Sequence, residues 1–155
     1  MSTNHKQEQS LQTGHVGLNV SNLERSKRFY QEVLGFQLLG QSQAEGRRFA
    51  FLGDGQKLVL TLWQQSEGHF EKRRPGLHHL SFQVETIENL QEFENRLRVM
   101  NVHFIYDGIV PHAGGTDSGG IFFEDPDGIR LEIYSQTGAE KHDAPTPGAP
   151  SCGFF

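Results

Sequence analysis

Two similar segments decide the fold of this 155-residue chain, HVGLNVSNLERSKRFY (His15–Tyr30) and HLSFQVETIENLQEFE (His79–Glu94). At an offset of 64 residues, His, Val, Glu and Phe coincide, and four further positions are similar. A second match aligns Phe49–Leu60 with Phe122–Ile133 at an offset of 73, so the second copy is nine residues longer. Internal similarity of this kind predicts a repeated structural unit. We place the extra residues in the glycine-rich stretch Val110–Gly120.

Each copy begins with an alternating strand and continues into an amphipathic helix. Apolar side chains alternate along Val16–Val20 and along Leu80–Val84, which is the pattern of a half-buried strand. In the first copy, Ser21 and Glu24 have the spacing of a capping box, and Gly35 fits a C-terminal cap. Later strands are predicted at Phe36–Leu39, Arg48–Leu52, Lys57–Trp63, Val102–Tyr106, Gly120–Glu124 and Arg130–Tyr134.

These elements predict an α+β protein of two β-α-β-β-β modules, which form a curved mixed sheet around a cup. We place module one at 14–66 and module two at 76–134, within a single domain at 14–134. Residues 1–13 are expected to be flexible, and 135–155 to form a Pro/Gly-rich C-terminal tail without regular structure. The apolar end of this tail, Cys152–Phe155, either docks on the domain or is disordered, and the sequence favours neither.

Composition excludes several classes of function. With 14 Lys and Arg against 19 Asp and Glu, the net charge is −5, so we expect no general affinity for nucleic acid or anionic membranes. The single cysteine, Cys152, excludes an intrachain disulfide and a thiolate-rich zinc site. The longest apolar runs are far shorter than a membrane span, and Met1–Gln12 has no apolar signal core. A cytoplasmic protein is therefore expected.

Strand parity selects the candidate metal ligands. Since side chains alternate across a strand, His15 and His79 face the cup at equivalent positions of equivalent strands. Glu132 has the same parity in the last strand, between two apolar residues, and an ion pair with Arg130 is its alternative role. Two imidazoles and one carboxylate suit a single divalent ion, Fe(II), Mn(II), Zn(II) or Ni(II), and leave coordination positions open.

Further residues are candidates for contact with a substrate. Thr61 and Trp63 share the cup-facing parity, as do Arg130 and Tyr134, and together they suit a ligand with an aromatic or otherwise apolar part. The alternative for Trp63 is packing at the module interface. His112 is a candidate general acid or base, and the alternative is a solvent-exposed loop histidine.

Three motifs give the chain a resemblance to a known family. The motifs are GHVGLNVSNLERSKRFYQEVLGF (Gly14–Phe36), GLHHLSFQV (Gly76–Val84) and FFEDPDGIRLEIY (Phe122–Tyr134). On these motifs the chain resembles the vicinal oxygen chelate superfamily, the glyoxalase, bleomycin-resistance and extradiol-dioxygenase group. The resemblance implies paired modules around a cup with one divalent metal, and His15, His79 and Glu132 match the ligand positions of the family.

Departures from the family limit the choice of reaction. Glyoxalase I enzymes carry a fourth ligand, Glu or Gln, on the late strand of module one, whereas Lys57–Trp63 has neither. The extradiol pattern expects a tyrosine where Phe122 stands and a histidine slightly closer to it than His112. Antibiotic-sequestering members lack the metal ligands that this chain has.

The resemblance therefore implies a metal-dependent enzyme that binds a small substrate with adjacent oxygens, with extradiol-type ring cleavage as the first choice. Lyase or thiol-transferase chemistry of the glyoxalase or fosfomycin-resistance type is the alternative. A non-catalytic binding protein of the bleomycin-resistance type is the alternative from another class. A homodimer is expected, since small members of the family often pair modules between subunits.

Overall fold

The computed structural model describes residues 9–155 and contains two modules with the same order of elements. The first eight residues of the segment predicted to be flexible, 1–13, lie outside the described part of the chain. Module one contains β1 (Val16–Val20), α1 (Leu23–Glu32), β2 (Gln37–Ser42), β3 (Phe49–Gly53) and β4 (Leu58–Gln64). Module two contains β5 (Leu80–Gln83), α2 (Ile87–Val99), β6 (Val110–Pro111), β7 (Gly119–Glu124) and β8 (Arg130–Ser135).

Each module has its own four-stranded mixed sheet. The strand orders are β1-β4-β3-β2 and β5-β8-β7-β6. β1 pairs with β4 and β5 pairs with β8 in parallel, whereas the other pairings are antiparallel. The parallel pairs are the first and last strands of each module, so the helix and the middle strands connect them. The predicted α+β class is confirmed.

The apolar faces of both sheets share one core, with the two helices between them. Phe29 of α1 lies 6.5 Å from Phe123 of β7, ring centroid to ring centroid, and Phe36 lies 5.4 Å from Phe82 of β5. The opposite faces, which carry the residues predicted to line the cup, we call the outer faces. Since the inner faces meet in the core, the outer faces of modules one and two point away from each other. The fully buried strand residues of the core include Val20, Leu52, Leu60, Leu62, Ile121, Phe123 and Leu131.

The Asp125–Gly128 turn connects the modules. The Tyr30 hydroxyl of α1 donates to Asp125 Oδ2 at 2.9 Å, and Arg25 forms an ion pair of 2.9 Å with Asp127. Asp125 Oδ1 also accepts from the backbone N–H groups of Asp127 and Ile129. The turn after β7 therefore both reverses the chain, with Gly128 at a φ of 84°, and fixes α1 on module two.

The start of α1 differs from the prediction. Asn22, and not Ser21, is the N-cap, and its side chain accepts from the Arg25 N–H at 3.0 Å. The capping box of Ser21 and Glu24 is wrong because Ser21 donates its N–H and hydroxyl to Asp127 of the other module. Ser21 therefore bonds to a distant carboxylate instead of capping the first turn of α1.

The predicted strand Val102–Tyr106 is also wrong. In this segment only Phe104 forms a β-bridge, with Phe123 of β7. The strand that pairs with β7 on the side away from β8 is β6, Val110–Pro111. The chain leaves β7 at Gly108, which has a φ of 85°, and returns in β6. The apolar side chains of this segment alternate because Val102 and Phe104 pack against the core, although the backbone forms only one β-bridge.

The C-terminal tail docks on the outer face of module two. The Ser151 N–H donates to the His112 carbonyl at 2.8 Å, and the Tyr106 hydroxyl donates to the Ser151 carbonyl at 2.8 Å. Ser151 Oγ donates to the Pro111 carbonyl at 2.5 Å, and Ser151 is fully buried. Of the two alternatives for the tail, docking is the observed one.

Within residues 9–155, no helix combines the length and the apolar character needed to cross a bilayer.

Candidate functional site

Glu132 is a buried carboxylate on the outer face of module two. It lies in β8 between the core residues Leu131 and Ile133, and its side chain is 4% exposed. His112 Nε2 lies 2.5 Å from Oε1, and His79 Nε2 lies 3.4 Å from Oε2. The alternative ion pair with Arg130 is not formed, because both carboxylate oxygens face imidazoles instead.

Gly120 of β7 makes room for this carboxylate. A Cβ atom at this position would lie 3.1 Å from Glu132 Oε1 and 2.7 Å from the Ile133 carbonyl oxygen. Any other residue would therefore push against the β8 backbone and against the carboxylate. Gly120 therefore leaves the space that the Glu132 side chain occupies.

The surroundings of His79 favour its neutral imidazole. Burial lowers the pKa of its imidazole, although the neighbouring Glu132 carboxylate opposes that shift. His79 Nδ1 lies 2.8 Å from Nδ1 of His78, which leaves Nε2 directed at Glu132. A neutral imidazole with a free ring nitrogen is the form that binds metal ions.

His112 is oriented by two contacts and is not a solvent-exposed loop histidine. Its side chain is 24% exposed and follows β6 directly. Nδ1 lies 2.9 Å from the Ser118 hydroxyl, while Nε2 contacts Glu132. Sequence parity did not identify this pairing, because parity applies to strand residues and His112 lies in the loop between β6 and β7.

Arg130 and Tyr134 lie on the same outer face as Glu132. Arg130 is 5% exposed and donates from Nε to the His78 carbonyl at 2.9 Å. The Tyr134 hydroxyl donates to Gln83 Oε1 at 2.9 Å, and its ring centroid lies 5.5 Å from that of His112. Both side chains therefore border the carboxylate and its imidazoles.

The remaining candidates lie on the outer face of module one. His15 is exposed and precedes β1. Thr61 is buried and accepts from Trp63 Nε1 at 2.9 Å, and Trp63 packs on Phe49 and Phe51 of its own sheet. Trp63 therefore does not pack at the module interface of the chain, which was its alternative role.

The predicted ligands thus fall on opposed faces of one chain. His79 and Glu132 are adjacent, and His15 is on the other module. Within residues 9–155, no group of three or more His, Cys, Asp or Glu side chains is arranged to hold a metal ion. A site with all three ligands requires that the outer face of one module meets the outer face of the other module from a second chain.

A groove of about 730 Å³ lies apart from these residues. Side chains of both modules line it, among them Val16, Val59, Phe82 and Phe93. None of His79, His112 and Glu132 borders it, so its apolar walls offer no ligating cluster. The chemistry available on this chain is on the outer faces and not in this groove.

Comparison with known proteins agrees with this architecture. The chain is 28% identical over 138 residues to the trivalent organoarsenical cleaving enzyme of Bacillus sp. (strain MD1), covering 88% of this chain and 81% of the relative. It is 28% identical to the catechol-2,3-dioxygenase of Bacillus subtilis, covering 79% of this chain but only 40% of that enzyme. A glyoxylase/bleomycin resistance protein/dioxygenase domain from Frankia sp. EAN1pec superposes with a TM-score of 0.70 at 29% identity, covering 82% of this chain and 98% of that domain.

The family model agrees with the resemblance drawn from the three motifs. It matches residues 12–133, which include β1 and all but the last two residues of β8. The match spans both modules and the positions of all three predicted ligands. The chain therefore belongs to the Glyoxalase/Bleomycin resistance protein/Dioxygenase superfamily.

Proposed function

We propose that the protein is a divalent-metal enzyme whose site takes His15 from one chain and His79 and Glu132 from a second. The observation that carries this proposal is Glu132, a buried carboxylate that contacts two imidazoles and no Lys or Arg among residues 9–155. Burial of a carboxylate without a cation is costly, and a bound metal ion removes that cost. The opposed outer faces support a homodimer, in which module one of each chain faces module two of the other.

The donor set fits a metal that catalyses rather than one that only stabilises the fold. Two imidazoles and one carboxylate leave positions for substrate oxygens. A divalent ion there supplies Lewis-acid stabilisation for an oxyanion that develops on the substrate. His112 is placed to hold or move a proton at Nε2, and Ser118 orients its ring.

The substrate we favour is an aromatic compound with two adjacent oxygens, and the reaction we favour is oxygen-dependent ring cleavage. Similarity to a catechol-2,3-dioxygenase supports this choice, as do the aromatic side chains on both outer faces. In this reaction one ring C–C bond breaks, and both atoms of O2 enter the product. Lyase, thiol-transfer and simple ligand-capture functions are the competing outcomes of the test.

The test begins with the metal content of protein purified without added metal, measured by mass spectrometry. We expect close to one divalent ion per chain, and its loss in Glu132→Gln. Gln41→Glu is a surface control outside the site, and its metal content should match that of the wild type. Protein without metal in every preparation would exclude the enzyme and leave ligand capture.

The reaction itself is tested by anaerobic loading with Fe(II), followed by oxygen uptake on a panel of catechols. We expect about one O2 consumed per ring cleaved, with a product that absorbs in the visible range. Absence of uptake on all catechols, together with turnover of fosfomycin or a glutathione adduct, would reject ring cleavage and establish transferase or lyase chemistry.

A further inference from the structure

The last described residue, Phe155, lies in an aromatic slot on the outer face of module two. Its main-chain oxygen accepts from Arg130 Nη1 at 2.7 Å, and the Arg130 guanidinium carbon lies 5.0 Å from the centre of its ring. One residue thus offers both a ring and an oxygen to the same guanidinium. The surrounding rings are those of Phe122, His78, Tyr106 and His79, at 5.4, 5.6, 5.8 and 6.0 Å between centroids.

Arg130 is a buried cation without an Asp or Glu partner among residues 9–155. Within residues 9–155 its side chain donates to two main-chain oxygens, those of His78 and Phe155. The more exposed Arg25 and Arg98, in contrast, each form ion pairs. Since a buried charge is stable only when it is well compensated, the guanidinium favours an anionic oxygen group over a neutral one.

We propose that Arg130, His78, Tyr106 and Phe122 form a binding site for an aromatic ring that carries an anionic oxygen group. Phe155 fills this site until the ligand displaces it. The slot adjoins the candidate metal ligands, because His79 contacts both the Phe155 ring and Glu132. In naming the substrate class the proposal rests on the proposed function, whereas binding in the slot requires no metal.

The tail can release Phe155 without leaving the domain. Ser151 anchors it through hydrogen bonds to His112, Pro111 and Tyr106. Phe154, next to Phe155, is 72% exposed, so its side chain does not anchor the end of the tail in the core. Because Phe155 is tethered close to the slot, it competes with a free ligand at high effective concentration. The apparent affinity for that ligand falls in proportion to the fraction of molecules in which the slot is empty.

The experiment measures binding of para-fluorobenzoate to the full chain by fluorine NMR, after metal removal with a chelator. Phe155→Ala vacates the slot, and we expect it to bind the probe about tenfold more tightly than the wild type does. Phe154→Ala is the matched control, since it removes a neighbouring phenyl ring that fills no slot, and its affinity should equal that of the wild type. An unchanged affinity in Phe155→Ala would overturn the proposal.

The anionic part of the site is tested in the Phe155→Ala background. Added Arg130→Gln should abolish the gain in affinity, and para-fluorobenzyl alcohol, which is neutral, should bind about tenfold more weakly than para-fluorobenzoate. Equal binding of the alcohol and the benzoate would overturn the proposal. If thermal melting shows that Arg130→Gln is unfolded, this comparison of two probes decides alone.

The two proposals fail separately in these measurements. If Phe155→Ala binds benzoate but the wild type contains no metal, the aromatic site is supported and the metalloenzyme is rejected. Metal-dependent turnover with no benzoate binding in Phe155→Ala would keep the enzyme and reject the aromatic site at Arg130.

Discussion

Asp125 shows how burial changes the chemistry of a single side chain. Burial raises the pKa of its carboxyl from 3.8 to about 6, although the hydrogen bonds from Ile129, Tyr30 and Asp127 oppose the shift. Burial, together with the nearby Asp125 carboxylate, likewise raises the pKa of Tyr30 well above its ordinary value. Burial therefore favours a protonated Asp125, whereas the hydrogen bond from Tyr30 favours the ionised carboxylate.

This preference predicts a loss of stability as pH rises. Between the unfolded pKa of 3.8 and the folded pKa of about 6, the folded state binds more protons than the unfolded state. Its free energy of unfolding should therefore fall by about 3 kcal/mol across that window as pH increases. Urea unfolding at a series of pH values measures this loss in the wild type.

Asp125→Asn is the control for the titration. It keeps an oxygen for the N–H groups of Asp127 and Ile129 but cannot ionise. The contribution should be absent in this variant, so the difference between the two proteins should change with pH in the stated direction. Parallel pH profiles in the two proteins would contradict the prediction.

At the scale of the element, local signals predict helices and strands well wherever no distant residue competes for the same groups. α1 ends at Glu32, and Gly35 lies just beyond this end with a φ of 79°, close to the C-terminal cap that the sequence predicts. The start of α1 does not follow the capping box, since Ser21 bonds to Asp127, which is more than a hundred residues away. Sequence pattern cannot rank such a partner against a local cap.

The cap of α2 is local and allows a direct prediction. Thr86 accepts from the Asn89 N–H at 3.1 Å. Thr86→Ala should lower the free energy of unfolding by about 1 kcal/mol, because one N–H of the first turn loses its partner. Thr86→Ser keeps the hydroxyl and should stay close to the wild type in chemical denaturation. A similar loss in both variants would show that the methyl group, and not the cap, matters here.

At the scale of the whole molecule, the internal repeat predicts two modules but not how they pack. Parity places His15, His79 and Glu132 on the faces away from the helices. In the structure His79 lies beside Glu132, and His15 is exposed just ahead of β1. The pattern does not reveal that both helices share one core, which turns these faces apart. Nor does the composition of the tail predict that Phe155 enters a slot beside His79.

A dimeric site predicts complementation between variants. His15→Ala damages module one, and Glu132→Gln damages module two. In random mixed dimers of these two variants, about a quarter of all sites should be intact, since half of the dimers carry one undamaged site of two. Metal content and activity of the coexpressed mixture, relative to each variant alone, measure the recovery.

The control mixture combines Glu132→Gln with His79→Ala. Both changes lie in module two, so every site in every dimer carries one lesion. No recovery is expected in this mixture, and recovery here would contradict the shared site. Failure of both mixtures to recover, with each variant correctly folded, would instead support a site within one chain.

The matched registers of the two sheets show which residue of module one corresponds to Glu132. Gly17 pairs with Thr61 as Ser81 pairs with Glu132, so Thr61 occupies in module one the place that Glu132 has in module two. The sequence match at an offset of 73 is therefore two residues out of register in these strands, where the structural offset is 71. In the proposed site, module one therefore offers a hydroxyl at the place where module two offers a carboxylate. Thr61→Glu would add a fourth protein ligand to the proposed site, on the strand where the resemblance places the fourth ligand of glyoxalase I enzymes, which makes this position a natural starting point for redesigning the metal preference.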